Sequence, residues 1–327
     1  MSNGIKCPLL GILLLGLPAL GQVSIQRTPD CLTVDVQGKP FTVLYIAGSE
    51  TTKPYFQPVR SASGIIVTRR YPMEIVEGER HDLPHQRGLW FSHGDVNGFD
   101  FWNNDASYTR PNLGRIVLDR VIALANGEKT GSIEISFKWV ETNGKPLIED
   151  TRKMIFYSDP AFRIIDFEIR LRAIEKVTFG DEKDAGFAIR LAPGLEAPAP
   201  DAPPLPRRTG RIVNSNGQEG ERACWGKRAN WVDCFGQVEG EKLGVAIFDY
   251  PGNPRHPVYW HVRGYGLLAA NMFGARAFDV NHNPLLNGSW TLEPGEVLTL
   301  RYRVVVHPGD YRTANIAGLY EKYARTK

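Results

Sequence analysis

Cysteine is scarce: the chain has four in 327 residues, and no two of them stand as C-x-x-C. That spacing is the usual mark of a cysteine-built zinc site, so such a site has no support. Also missing are a G-x-S-x-G elbow, a P-loop, a G-x-G-x-x-G after a strand and an H-E-x-x-H, which leaves serine-esterase, nucleotide and dinucleotide chemistry unsupported. Neither sign of charge dominates, with 39 basic against 36 acidic residues and a net charge of +3. A nucleic-acid binder normally concentrates basic residues on one face, so no nucleic-acid partner is expected.

Long apolar runs are missing too, except at the very start. MSNGIKCPLLGILLLGLPALGQ carries Lys6, an apolar stretch from Leu9 to Leu20 and small residues before Gln22. The pattern is that of an export leader, and the run is short for a bilayer span. Residues 1–21 are therefore read as a signal peptide, and the protein as exported, periplasmic or extracellular, with no membrane insertion once the leader is removed. Of the later cysteines, Cys224 and Cys234 are placed to close a small loop around Trp225 and Trp231 in an oxidising compartment, the alternative being that Cys31, Cys224 and Cys234 are all buried free thiols.

What is abundant is glycine (33) and proline (23), which favours turn-rich β structure over a helical bundle. VSIQRT, CLTVDV and KPFTVLYI follow one another at the start, and SIEISFKWVET, LIEDTRKMIFYS and FRIIDFEIRLRAI then alternate apolar and polar residues over long runs. Period two means that one face packs on a core while the other meets solvent or a cleft. KLGVAIFDY, YGLLAANMF and VLTLRYRVVVH continue the series, and TANIAGLYEKYART is the one convincing helix, with Ile316, Leu319, Tyr320 and Tyr323 on one face. The proline-rich stretch 193–208 lacks periodicity and reads as a long surface loop. The fold class is all-β: residues 22–327 form a single domain, a large antiparallel β-sandwich of some twenty strands with a short C-terminal helix.

Chemistry-bearing residues concentrate in two places. HDLPHQRGLWFSHGDVNGFDFW (81–102) holds three of the seven histidines, His81, His85 and His93, with Arg87, Asp95, Asn97, Asp100, Trp90 and Trp102. Imidazoles beside carboxylates suit general acid/base work, Arg87 suits an oxyanion or carboxylate, and the indoles offer flat apolar faces to a sugar ring. Inside it LWFSH reads as a short buried strand, with Trp90 and Ser92 facing one way and Leu89, Phe91 and His93 the other. DYPGNPRHPVYWHVRGYGLLAANMFG (249–274) adds His256, His261, Trp260, Arg263, Tyr265 and Asn271. A third patch, FGDEKDAGFAIRL, holds Asp181, Glu182 and Asp184 ahead of a strand carrying Arg190. A lone histidine in such a loop is more often a hydrogen-bonded structural group. The density of polar groups beside aromatics is costly to bury, which favours function for the segments as wholes.

KPYFQPVRSASGIIVTRRYP, the 81–102 segment and NPRHPVYWHVRGYGLLAANMFG together resemble a bacterial family labelled PmoA, or methane oxygenase PmoA, otherwise treated as a domain of unknown function; FGDEKDAGFAIRL and KRANWVDCFG are similar to further blocks of it. The likeness runs from about Thr42 to His307. The label implies methane oxidation. The ending SWTLEPGEVLTLRYRVVVHPGDY is similar to the last strands of galactose-mutarotase-like supersandwich domains, which implies a supersandwich fold and sugar chemistry.

The expected site is a cleft between the two histidine patches that holds a small-molecule carbohydrate. His81, His85, Arg87, His93, Asp95, Glu182, His256 and His261 form the catalytic candidates. Trp90, Asn97, Asp100, Trp102, Trp260, Arg263, Tyr265 and Asn271 are the candidates for binding. The reactions in view are epimerisation, lysis or hydrolysis of a glycoside, none needing an organic cofactor. A non-catalytic carbohydrate-binding envelope protein is one alternative, and a metalloprotein with a histidine-bound divalent metal, the labelled oxygenase included, is the other.

Overall fold

The computed structural model describes residues 22–200, 207–281 and 283–326, so the expected signal peptide, part of the proline-rich stretch and His282 lie outside the described residues. Among the described residues the chain forms eighteen strands and two α-helices. The first five strands are β1 (Val23–Arg27), β2 (Cys31–Val36), β3 (Lys39–Tyr45), β4 (Tyr55–Val59) and β5 (Leu89–His93). The long strands β6 (Arg115–Ala125), β7 (Thr130–Val140), β8 (Pro146–Tyr157) and β9 (Arg163–Ala173) follow, then β10 (Val177–Phe179), β11 (Ala185–Arg190) and β12 (Arg211–Asn214). After α1 (Glu221–Cys224) come β13 (Trp231–Val238), β14 (Glu241–Asp249), β15 (Tyr259–Arg263) and β16 (Leu267–Asn271). The chain closes with β17 (Trp290–Leu292), β18 (Val297–Pro308) and α2 (Ile316–Ala324).

Two eight-stranded sheets result, with orders β1-β2-β3-β4-β5-β11-β16-β15 and β12-β13-β14-β18-β9-β8-β7-β6, plus the small pair β10-β17. Every pairing in them is antiparallel. Their inner faces share one apolar cluster. Phe187 of the first sheet lies 4.7 Å from Phe167 and stacks 4.8 Å from Tyr302 of the second, and Phe91 meets Trp139 edge-on. The predicted all-β sandwich with a C-terminal helix is what the chain forms.

The two sheets differ on their outer faces, and that difference locates the site. In β8 and β9 buried positions alternate with exposed or half-buried ones, as expected where one face meets solvent. In β5, β11 and β16 every residue is buried, so at these strands the first sheet is covered on both sides. Helix α2 covers part of the second sheet, laying Ile316, Tyr320 and Tyr323 beside Phe248 and Val305, with Leu319 at the margin. The Asn315 side chain accepts from the Gly318 N–H at its N-terminus.

Several expectations need correction. Strand β6 was not anticipated, because its apolar and polar residues follow no clean period; it is a largely exposed edge strand. The proline-rich stretch opens with a buried turn, Pro193–Leu195, rather than running wholly over the surface. Of the two alternatives left open for Cys224 and Cys234, the free thiols hold: both are buried, donating to the Gln218 and Leu195 carbonyls. Burial pushes the Cys224 thiol up to about 11, which makes it a poor nucleophile. Among the described residues no helix is long and apolar enough to cross a membrane.

Candidate functional site

Strand register builds a row of side chains across the outer face of the first sheet. Tyr45 pairs with Tyr55, Tyr55 with Trp90, Trp90 with Ala188, Ala188 with Ala269 and Ala269 with His261. All share one face because a partner's side chain projects to the same side across a ladder. Trp90 and His261 are three strand spacings apart, roughly 14 Å. Between them Ala188 and Ala269 form a low floor, and beside that floor Gly186 has φ of +99°, where a Cβ would sit 2.0 Å from the Ala270 carbonyl oxygen. Only glycine fits there.

Three segments roof this face. Residues 67–88 bring Arg69, His85, Gln86 and Arg87. Trp102 packs on Trp90 at 5.0 Å with the rings inclined at 62°. The 181–184 turn receives Asn271, whose Nδ2 donates to the Glu182 and Lys183 carbonyls. Half-buried Tyr45, Met73 and Tyr265 pack against the cluster of Tyr55, Trp90, Trp102, Ala188, Leu267 and Ala269. Several polar atoms inside have no partner within the protein: Trp90 Nε1, Trp102 Nε1, Ser92 Oγ, His261 Nε2 and Arg190 Nε. Leaving a buried polar group unpaired costs about 1–3 kcal/mol, and five such atoms converge on one face.

The imidazole of His261 has a defined tautomer. Its Nδ1 lies 3.1 Å from the Lys183 carbonyl oxygen and must donate to it, which leaves Nε2 as the lone-pair nitrogen. Burial draws its pKa down to about 4, against the pull of Asp184, whose Oδ1 is 3.6 Å from Nδ1. The ring is therefore neutral at pH 7, with Nε2 available as an acceptor.

At the other end of the row, Nδ1 of His85 lies 3.3 Å from the Tyr108 hydroxyl. Burial, then the charges of Lys53 and Arg69, take its pKa down to about 2. Arg87 donates to Asp105 Oδ2 at 2.7 Å and lies 5.6 Å over the Tyr55 ring. Lys53, which the sequence reading did not single out, is wholly buried and donates to the Trp102 carbonyl and Asn104 Oδ1. Burial and the neighbouring Arg87 lower its ammonium to about 7. Arg69 and Arg190 were likewise not named as site residues, and both are fully buried at this face.

The two histidine patches thus meet only in part. His93 faces inward, edge-on to Phe179 and Phe273, its Nδ1 accepting the Asp95 N–H, and burial lowers it to about 3. Trp260 is also in the core, donating to the Ala229 carbonyl, so it offers no face to a ligand. His256 sits at the other sheet, with Nδ1 2.6 Å from Asp249 Oδ2 and Nε2 3.4 Å from the Tyr320 hydroxyl of α2. His81 is exposed and stacks on Tyr71. Asp95, Asn97 and Asp100 tie turns: Asp95 accepts the Gly98 N–H, Asn97 bridges to Lys176 and Thr178, and Asp100 accepts the Trp102 and Asn103 N–H groups. Glu182 accepts the Asp184 N–H within its own turn. Arg263 pairs with Glu221 beside Trp225, and Tyr265 lies under the Arg190 guanidinium. Among the described residues no three His, Cys, Asp or Glu side chains group to hold a metal ion.

A family model matches residues 31–321, nearly the whole described chain. The chain belongs to DUF6807. That family is described as one of unknown function. The comparisons give no evidence for the PmoA label, so the methane oxidation it implies is left without support. No curated protein matches the DUF6807 chain. Among solved structures it is similar to a GH36 α-galactosidase from Geobacillus stearothermophilus, at 11% identity and a TM-score of 0.40; the match covers 89% of this chain but only 42% of that one. It is also similar to a galactose mutarotase related enzyme from Lactobacillus acidophilus (9% identity, TM-score 0.29, covering 88% and 98%). A third is a putative aldose 1-epimerase from Escherichia coli K12 (9% identity, TM-score 0.35, covering 88% and 100%). Likeness at these values carries no argument about what this chain does.

Proposed function

We propose that this DUF6807 protein binds an oligosaccharide on the roofed outer face of the first sheet and acts on it by proton transfer through His261. One observation carries the reading: the row from Trp90 across Ala188 and Ala269 to His261, with unpaired indole, hydroxyl and imidazole groups beside it. Sugar hydroxyls both donate and accept, so they suit Trp90 Nε1, Ser92 Oγ and His261 Nε2 together, while apolar sugar faces suit the indoles and the alanine floor. A row of roughly 14 Å is longer than one sugar ring, which favours two or more units. Trp90 and His261 are each only 2% exposed, so entry requires the roof to lift.

A lone neutral imidazole supports proton abstraction, as in epimerisation or elimination, better than glycoside hydrolysis, which uses two carboxylates. Three carboxylates near this face are occupied by cations: Asp82 by Arg69 and Arg190, Asp105 by Arg87, and Asp184 by Lys183, while Glu182 accepts the Asp184 N–H. That same pairing favours binding without turnover as the second reading. Export, supported by Lys6 and the apolar run after it, completes the proposal. Calorimetric titration with an oligosaccharide panel tests it. Trp90→Ala is expected to weaken binding roughly tenfold. His261→Gln is expected to keep binding and lower turnover by about a hundredfold or more. No binding across the panel would refute the site, and unchanged turnover in His261→Gln would refute the base.

A further inference from the structure

The buried charge at this face exceeds what a neutral sugar calls for. Arg69 and Arg190 have fully buried side chains yet share a single carboxylate oxygen, Asp82 Oδ1, at 2.8 and 3.2 Å. The Asp82 side chain is 46% exposed and belongs to the roof, whereas Arg190 belongs to the strand beneath it. The rest of the Arg69 fork goes to neutral carbonyls of Arg80, Asp82, Leu83 and Gln86, and Arg190 Nη1 donates to Gln86 Oε1 at 2.6 Å. The Nε of each has no partner. Arg87 and the partly protonated Lys53 add further buried positive charge nearby, against the buried carboxylates of Asp105, Asp100, Glu79 and Glu196, of which Glu196 already pairs with Arg80 and Arg208 and Glu79 accepts the Arg70 and Tyr71 N–H groups. Arg190 is two residues along β11 from Ala188, about 7 Å from the floor of the proposed sugar row.

We infer that the ligand is an acidic, uronate-type oligosaccharide whose carboxylate is received by the Arg69–Arg190 pair, in exchange for Asp82, which fills that position in the unliganded protein. The inference rests on the sugar site proposed above. Guanidinium forks match a carboxylate in two-pronged geometry, and this buried pair has one direct carboxylate contact between them, to a single oxygen of a half-exposed aspartate. Replacing one carboxylate by another costs little, because the charges and hydrogen bonds are conserved, and it frees the roof segment that carries Asp82. A neutral ligand has nothing to offer in that exchange. The His85 imidazole is lowered mainly by burial, and the charges of Lys53, Arg69 and Arg190 add to that against the pull of Asp105. Other depressions offer less. One of about 350 Å³ is lined by Ser61, Glu241 and His307, and one of about 270 Å³ by Tyr157, Asp166 and Arg301, but their charged groups already pair with one another or with near neighbours.

The test is calorimetry of the full chain with uronate-containing oligosaccharides and with the same oligosaccharides fully methyl-esterified, which removes charge with little change of shape. The acid forms are expected to bind about tenfold tighter or better. Arg190→Gln should erase that preference. Should Arg190→Gln fail to fold, Asp82→Asn, at a half-exposed position, carries the test, and it should tighten acid binding severalfold while leaving the esters unmoved. Esters binding as well as acids, or Asp82→Asn weakening acid binding, would overturn this inference and leave the sugar site standing. Binding of neither form would overturn both.

Discussion

Arg152 sits on the second sheet but reaches across the core to the strand that carries Trp90. Its Nε lies 3.1 and 3.0 Å from the two carboxylate oxygens of Asp150, its Nη2 2.7 Å from Oδ2, and the same Nη2 donates to the Phe91 carbonyl at 3.3 Å. The guanidinium lies over the rings of Phe91 and Phe137. Asp150 has no exposed surface, and its remaining partner is the Trp139 indole at 2.9 Å. Arg152→Met therefore leaves a buried carboxylate held by one neutral donor, at a cost of about 3–5 kcal/mol. Asp150→Leu with Arg152→Met removes both charges and takes a partner only from neutral groups, the Trp139 N–H and the Phe91 carbonyl, so it should cost about 1–3 kcal/mol. Urea unfolding at pH 7 of the wild type, both single variants and the double variant closes the cycle. The expected coupling is about 2 kcal/mol or more. Additive costs, or a loss below about 1 kcal/mol in Arg152→Met, would refute the reasoning.

Two pH effects of opposite sign follow from the buried histidines. His307 is raised above its ordinary value: burial lowers it, but Asp233, 2.6 Å from Nε2, and the Pro308 carbonyl more than offset that. A raised folded value means stability present below about pH 6.5 and lost as pH rises through the folded value; urea midpoints from pH 6 to 8 should show that fall in the wild type and a flatter profile in His307→Gln. His85, His93 and His261 are lowered, to about 2, 3 and 4, so the folded state binds fewer protons than the unfolded one below pH 6.5. Stability should fall as pH drops from 6.5 towards 4, and the acid limb should be shallower in His93→Phe than in the wild type.

The long strands were legible because each has one face at solvent, as in β7, β8 and β9, so the period of two survives in the residue string. The apolar runs of β5 and β16 likewise announced burial. The roof did not show, since the order β5-β11-β16-β15 joins segments up to some 180 residues apart. Clustering of histidines along the chain was a poor guide to clustering in space, because neighbours on a strand face opposite ways. Trp260 and His261 are adjacent yet one lies in the core and the other on the roofed face. The same alternation puts His93 inside while Trp90 and Ser92 are outside. His256 was drawn away by Asp249, which ends a strand of the other sheet. Lys53, Arg69 and Arg190 had a weaker signal: a single cation set against apolar strand residues, as in KPYFQPV and AGFAIR.

The most direct measurement is a protein NMR titration with a uronate-containing oligosaccharide, following the indole Nε1–H signals of Trp90 and Trp102 and the imidazole of His261, assigned by Trp90→Phe, Trp102→Phe and His261→Gln. The account predicts saturable shifts at all three groups at one common ligand concentration, since they bound a single row. Shifts confined to the outer pair of exposed His81 and half-buried Tyr71, with the buried indoles and His261 unmoved at saturation, would contradict it.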